Sequence, residues 1–339
     1  MIGIGIIGMG FMGRTHLAAF QQDRRCRVAM ICDTNVDRLK SQQPPIGGNL
    51  VSDTSDEEIF EEGTIEVTDE LDRLLDDPGI DAVSITTPTD SHIELACRSL
   101  DAGKHVLLEK PVALTPEGVF RIAHAARSAG RMVMPAHCMR FWPGWPEMRT
   151  AILQQQHGAI ERMSLLRMGG KPSWSQDFYL DPSRSGGAII DLHIHDADFI
   201  CWCLGMPGHL KSTGSINHVT TEYFYEQGPD VTAEGGWLDG DDVTFRMECT
   251  LEFPGATMSF DLSREPTLQL ETGDGVTDIP VDPGTGYQYE AAAFLGAIEK
   301  GELVGPVKME DAAMVAAVLQ AELESLDGGH EAAPVLETS

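Results

Sequence analysis

Hydrophobic positions fall into two textures along the chain. Up to about residue 136, short apolar runs at 2 to 7, 27 to 32, 64 to 67, 81 to 86, 105 to 108 and 131 to 134 read as buried strands. Between them, 11 to 20, 70 to 75, 91 to 102 and 116 to 129 carry apolar residues at helical spacing. Short strands alternating with helices predict βαβ units, hence an α/β, doubly wound parallel sheet with helices on both faces. The stretch 41 to 63, with Pro44-Pro45, Gly47-Gly48 and clustered acids, interrupts the alternation and reads as a solvated loop. Beyond residue 137 the runs at 162 to 168, 209 to 217, 243 to 253, 256 to 262 and 267 to 270 read as strands without regular intervening helices, and 289 to 300 and 309 to 326 as late helices. That pattern predicts a C-terminal α+β domain with a mostly antiparallel open sheet, giving domains 1–136 and 137–339.

Composition narrows the partners. The chain has 339 residues, enough for two cores without staples, with 24 basic against 53 acidic residues and a formal charge of −29. Such a surface repels nucleic acid and anionic lipid, so neither is an expected partner. The apolar runs stop well short of the ~20 residues that span a bilayer, and a strand-like run starts at Ile2 with no basic leader ahead of it. The seven Cys are an odd number; Cys201-Trp202-Cys203 fits no spaced zinc pattern, and the thiols are expected to be reduced in a cytoplasmic protein.

The first strand runs into Gly8-Met9-Gly10-Phe11-Met12-Gly13, a G-x-G-x-x-G turn that opens a helix. The first Gly permits a tight turn, the second lets backbone approach a pyrophosphate, and the third allows close helix–strand packing. The helix N-terminus adds unpaired N–H groups and a positive dipole. Asp33 follows 20 residues after Gly13, at the end of the second strand. A carboxylate there accepts ribose hydroxyls and repels a 2′-phosphate, which favours NAD; Arg38, one turn further, leaves NADP open. A helix N-cap is the plainer role for Asp33.

The fourth strand ends in Thr87-Pro88-Thr89 before a helix bearing His92, and the fifth ends in Glu109-Lys110-Pro111. In a parallel sheet these ends share one edge, beside the ligand crevice. Pro111 restricts the backbone around Lys110, so the direction of that lysine is set; a surface pair with Glu109 is the plainer reading.

These residues, with Glu109-Lys110-Pro111 foremost, resemble the glucose-fructose oxidoreductase/inositol dehydrogenase (Gfo/Idh/MocA) family. Residues His137 to Pro143 are similar to its H-x-x-R-F-x-P segment, and Gly186 to Asp198 to its G-G-x-x-x-D-x-x-x-H-x-x-D helix. The likeness spans most of residues 2 to 205. It implies an N-terminal Rossmann domain and an α+β domain for substrate and oligomerisation, as a dimer or tetramer. It also implies NAD(P)-dependent hydride transfer at a sugar, polyol or inositol-like hydroxyl or ketone. Gly8, Gly10, Phe11, Met12, Gly13, Asp33, Thr87, Pro88, His92, Glu109 and Lys110 are the expected cofactor residues. The sequence departs from the family at His193, where Gly is usual, and at Thr89, where Asn commonly follows Thr-Pro; both bear on substrate choice.

His193, His195, Asp191, Asp196 and Asp198 suggest a metal by residue type. Ile190, Ile194, Ala197, Cys201 and Leu204, however, recur at spacings of 4, 3, 4 and 3, a helical stripe ended by Gly205. On a helix His193 and His195 face apart, so one metal held by both is disfavoured and none is expected. Asp191 and His195, at i and i+4, can instead pair, with the carboxylate orienting the imidazole; a self-satisfied buried pair is the alternative. The expected mechanism has His195 accept the hydroxyl proton, Lys110 stabilise the alkoxide and Asp191 orient His195. Arg140, Trp174 and Tyr179 are candidates for gripping the substrate together with these three. The rivals are an NAD-assisted glycoside hydrolase or lyase, a cofactor-binding regulator without chemistry, and a metal-dependent enzyme.

Overall fold

The computed structural model describes residues 1–36, 65–172, 176–179, 181–240 and 243–336. Arg38, Trp174 and the loop expected at 41 to 63 lie outside the described residues.

The chain divides into two compact units. The first holds six strands, β1 (Ile2–Ile7), β2 (Cys26–Cys32), β3 (Glu66–Thr68), β4 (Ala82–Ile85), β5 (His105–Glu109) and β6 (Val133–Ala136), all parallel and in the order β3-β2-β1-β4-β5-β6. Ile4, Ile6, Ile85, Val106 and Leu108 are completely buried, as expected of near-continuous apolar runs in a parallel sheet. The connecting helices begin and end where the sequence marks them. Thr115 Oγ1 accepts the Gly118 N–H at the start of Pro116–Ala129, and Gly130, at φ 60°, terminates it. Strand order reverses between β1 and β4, which places the ligand crevice of such a fold at the C-terminal ends of these strands.

The domain division differs from a single cut after residue 136. The first unit extends to Cys138 and takes back Tyr287–Ala312. The helix Gly286–Glu299 is tied to it by Arg25, whose Nη2 donates to the Ala292 carbonyl at 2.9 Å. A late amphipathic helix carries no mark in its own sequence of which core it joins.

The second unit is an eight-stranded sheet: β7 (Arg162–Gly170), β8 (His209–Ser215), β9 (His218–Phe224), β10 (Asp230–Leu238), β11 (Arg246–Phe253), β12 (Ala256–Asp261), β13 (Leu268–Thr272) and β14 (Gly275–Ile279). The order is β14-β13-β12-β11-β7-β10-β9-β8, antiparallel except for the parallel pair β7/β10. Met163, Leu165, Cys249, Leu251, Met258 and Phe260 form a buried face, while Ser164, Leu166, Thr250, Thr257 and Ser259 alternate onto a half-exposed one. On the buried side Trp145 packs edge-on against Phe199 at 4.6 Å and meets Phe260 at 5.5 Å. The expected strands are present with small shifts. The helix Trp145–Leu153 and strands β9, β10 and β14 are additions to the sequence reading.

Candidate functional site

The Gly-rich turn has three distinct reasons for its three glycines. Gly8 has φ 91°, and a Cβ there would lie 2.7 Å from Thr87 Cγ2. A Cβ on Gly13 would fall 2.1 Å from the Gly8 carbonyl oxygen, so the helix Phe11–Gln21 can start this close to the strand only without a side chain. A Cβ on Gly10 would meet nothing within 4 Å. That open backbone, at a helix start with no side-chain cap and no acid in its first turn, fits an approaching phosphate. Phe11 and Met12 are half-buried beside it.

Asp33 shapes the same turn. Its Oδ2 accepts the Met9 N–H at 2.7 Å and its Oδ1 the Asn35 N–H at 2.8 Å. A carboxylate at this place is of the type that accepts ribose hydroxyls. Thr86 Oγ1 donates to the Gly8 carbonyl at 2.6 Å, tying the end of β4 to the turn. The residues fit a dinucleotide: Gly10 and the helix start toward the pyrophosphate, Asp33 toward a ribose.

Thr87 is half-buried and Pro88 exposed at the neighbouring loop. His92 is fully buried; Nε2 lies 2.9 Å from the Thr87 carbonyl and Nδ1 2.9 Å from the Pro111 carbonyl. It therefore binds the loop after β4 to the loop after β5 and has no surface left for a ligand. Burial holds its pKa below the ordinary histidine value, against the pull of those carbonyls.

Glu109 is likewise internal, 5% exposed. His16 Nε2 lies 2.9 Å from its Oε1, its Oε2 accepts the Lys110 N–H at 3.0 Å, and His16 Nδ1 stands 2.7 Å from Ser84 Oγ. Burial raises the Glu109 pKa, but His16, with a further contribution from Lys110, outweighs it and the carboxyl stays below its usual range. Glu109 supports Lys110 from behind, and Lys110 itself is half-buried at the strand end.

In the second unit the predicted Asp-His helix is present with a break. Gly186 and Gly187 both have positive φ, 73° and 74°, and a Cβ on Gly187 would lie 2.8 Å from the Ile216 carbonyl oxygen. They start the helix Gly187–Asp191; a turn at Leu192–His193 follows, then the helix Ile194–Leu204, ended by Gly205 at φ 78°. Through residues 187 to 201 every residue is buried except Asp191 and His195. Asp191 and His195 are half-buried, one at the end of the first helix and one in the first turn of the second. His193 is turned into the interior, so the two histidines do not share a ligand. Among the described residues no three His, Cys, Asp or Glu side chains gather as a metal site.

Arg140 and Asp198 form a buried pair, with Nη2 to Oδ1 at 2.7 Å and Nε to Oδ2 at 3.0 Å, and the guanidinium lies 5.5 Å from the Trp202 ring centroid. The side chain expected to grip substrate is committed to this carboxylate at 6% exposure. Tyr179 packs edge-on to Trp237 at 5.8 Å, beside Ala188 and Leu192, and remains half-buried.

The sequence reading did not single out His16, Arg167, Tyr223 or Glu322. The signal existed. His16 follows Gly13 by three on the sheet-facing side of its helix, and Glu322 sits on the stripe of Val315, Val318 and Leu319. An ionisable residue on an apolar stripe needs a partner.

Comparison with known proteins agrees with this anatomy. The Gfo/Idh/MocA model described as an oxidoreductase family with an NAD-binding Rossmann fold matches residues 2–137, and the Gfo/Idh/MocA C-terminal domain matches residues 145–270. The chain is 28% identical over 259 residues, 68% of its length and 72% of the relative's, to 1,5-anhydro-D-fructose reductase of Ensifer adhaerens. To inositol 2-dehydrogenase of Rhizobium meliloti it is 25% identical over 319 residues, 89% of this chain and 90% of that one. The fold is like that of levoglucosan dehydrogenase, solved with NADH and levoglucosan, at TM-score 0.79 and 20% identity, covering 98% of this chain and 99% of that one. The chain belongs to the Gfo/Idh/MocA family of oxidoreductases, and its first unit is that family's NAD-binding Rossmann fold.

Proposed function

We propose that this protein is an NAD-dependent dehydrogenase or reductase that exchanges a hydride with a secondary hydroxyl or ketone of a sugar, polyol or inositol-like substrate. The observation that carries the reading is that Asp191 and His195 alone stay half-buried in an otherwise buried stretch; the Glu109-supported Lys110 of the first unit is the second element of the reading. An acid and an imidazole left partly accessible in a stretch that is otherwise buried suit proton transfer.

When bound, the nicotinamide supplies the hydride acceptor or donor. His195 accepts the hydroxyl proton in the oxidative direction and returns it in the other. The Asp191 carboxylate orients that imidazole and favours its protonated form. Lys110, as a cation, stabilises negative charge developing on the substrate oxygen. The relatives named above act on polyhydroxylated substrates by their names, which supports that substrate class. Asp33 supports NAD over NADP, because a carboxylate repels the 2′-phosphate.

The test is turnover on inositols, aldoses, anhydrosugars and their keto forms, each with NAD and NADP, followed by absorbance of the reduced nicotinamide. Net reduction of NAD by at least one of these alcohols, abolished in Lys110→Ala while NADH binding persists, is expected. Full activity in Lys110→Ala, or sugar conversion with no net change in the cofactor, would overturn the reading.

A further inference from the structure

One buried group has no part in the chemistry above. His193 is fully buried at the turn between the two short helices. Its backbone ends one and begins the other: its N–H donates to the Ala188 carbonyl at 2.9 Å, and its own carbonyl accepts from Asp196 at 3.0 Å and Ala197 at 3.1 Å. Asp191 and His195 lie two residues to either side.

Its ring reaches into a buried charged cluster. Nε2 lies 3.1 Å from Tyr223 Oη on β9 and 3.3 Å from Glu322 Oε2 on the helix Met309–Gly328, while Tyr223 donates to Glu322 Oε1 at 2.6 Å. Beside it Arg167 on β7 holds Asp196, Nη2 to Oδ1 at 2.8 Å. Strand β10 makes room: a Cβ on Gly235 would fall 2.7 Å from His193 Nδ1. Arg167 balances Asp196, which leaves the Glu322 carboxylate, 0% exposed. A lone buried anion is costly, and a protonated His193 makes the group neutral.

We propose that His193 is a positioning residue: as the cation held by Glu322, with Tyr223, Asp196 and Arg167 around it, it fixes the Leu192–His193 turn and thereby the mutual placement of Asp191 and His195. The catalytic consequence rests on the dehydrogenase reading; the network itself does not. Burial lowers the His193 pKa, but Glu322 and then Asp196 outweigh it, so the group stays above the ordinary histidine value. Burial and Glu322 push the Tyr223 hydroxyl well up, so it remains a donor. For a pKa raised on folding, the stabilisation is full below the unfolded histidine value and is lost as pH rises through the folded one. The turn therefore loosens on the alkaline side.

The experiment follows the histidine ring protons by NMR from pH 5 to 9 in the full-length protein, in wild type, His193→Gln, Glu322→Gln and Tyr223→Phe, with His195 assigned by its loss in His195→Asn. The His193 signal is expected to titrate above the ordinary ~6.5. Its midpoint should fall by about one pH unit in Glu322→Gln, where the anion is gone. His195, though untouched, should change midpoint or chemical shift in both His193→Gln and Glu322→Gln. If His193→Gln does not fold, Glu322→Gln and the milder Tyr223→Phe carry the test. An unchanged His195 titration in the folded variants, or a His193 midpoint indifferent to Glu322, overturns the proposal. Failure of the dehydrogenase reading shows separately, as absent turnover across the substrate panel while these titrations stand.

Discussion

His16 Nε2 stands 2.9 Å from Glu109 Oε1, both side chains buried, so the helix that opens at the phosphate turn is tied to the residue preceding Lys110. This contact joins the cofactor end of the first unit to its lysine. Replacing His16 by Ala leaves the buried Glu109 carboxyl without its 2.9 Å partner, a loss of about 1–3 kcal/mol for an unsatisfied buried group. Glu109→Gln keeps the shape and should cost less. Thermal unfolding checks the ranking; equal stability in the two variants would contradict it.

The same pair sets an acid limb. A carboxyl whose pKa is lowered on folding adds stability that is present above its ordinary range and is lost as pH falls through the lower folded value. In Glu109→Gln the acid decline of stability should therefore be shallower than in wild type. Urea unfolding at a series of pH values below 6 reads this, and parallel curves for the two proteins would count against it.

Gly10 and Gly13 separate ligand binding from folding. Gly13→Ala drives a methyl into backbone and should destabilise the protein strongly. Gly10→Ala enters open space at φ −73°, so the fold should be unaffected, with Tm unchanged or slightly higher. If that space receives the pyrophosphate, Gly10→Ala weakens NADH by tenfold or more. Fluorescence titration with NADH decides it, and wild-type affinity in that variant would move the phosphates elsewhere.

Asp33 should govern cofactor choice. Asp33→Ser removes the charge facing a 2′-phosphate and should improve the NADP to NAD ratio of kcat/KM by at least tenfold, chiefly by weakening NAD use. An unchanged ratio would mean that another residue discriminates.

A formal charge of −29 predicts a salt response. Screening shortens from ~10 Å at 0.1 M to ~3 Å at 1 M salt, which relieves self-repulsion among surface acids. Tm should rise with sodium chloride over this range, and a flat or falling Tm would show that the acids are not a net burden on the fold.

The first unit was readable because its inner strands β1, β4 and β5, with β6, are buried on both faces and appear as near-continuous apolar runs, unlike the edge strand β3; the Gly-rich turn and Asp33 followed from spacing. Strand β10 was not, because Gly235 and Gly236 dilute its pattern; Gly235 is there to admit the ring of His193, a contact 42 residues away in sequence. Asp191 and His195 stood out by their i, i+4 spacing, whereas the break between their helices at Leu192–His193 did not, since the contacts of His193 with Tyr223 and Glu322 are tertiary. Arg140 looked like a substrate grip by residue type; its partner Asp198, 58 residues on, was a matter of tertiary structure.

The first unit is not a contiguous stretch: Tyr287–Ala312 completes it after the whole second sheet has been laid down. A translating ribosome releases the parallel sheet early and its closing helix only after the second sheet. The nucleotide unit cannot reach its finished state during synthesis until residues 287–312 have emerged, and a fragment cut near residue 138 would lack the segment that Arg25 anchors. Gene fragments meant to yield a free-standing cofactor module should be joined to that segment rather than truncated before it.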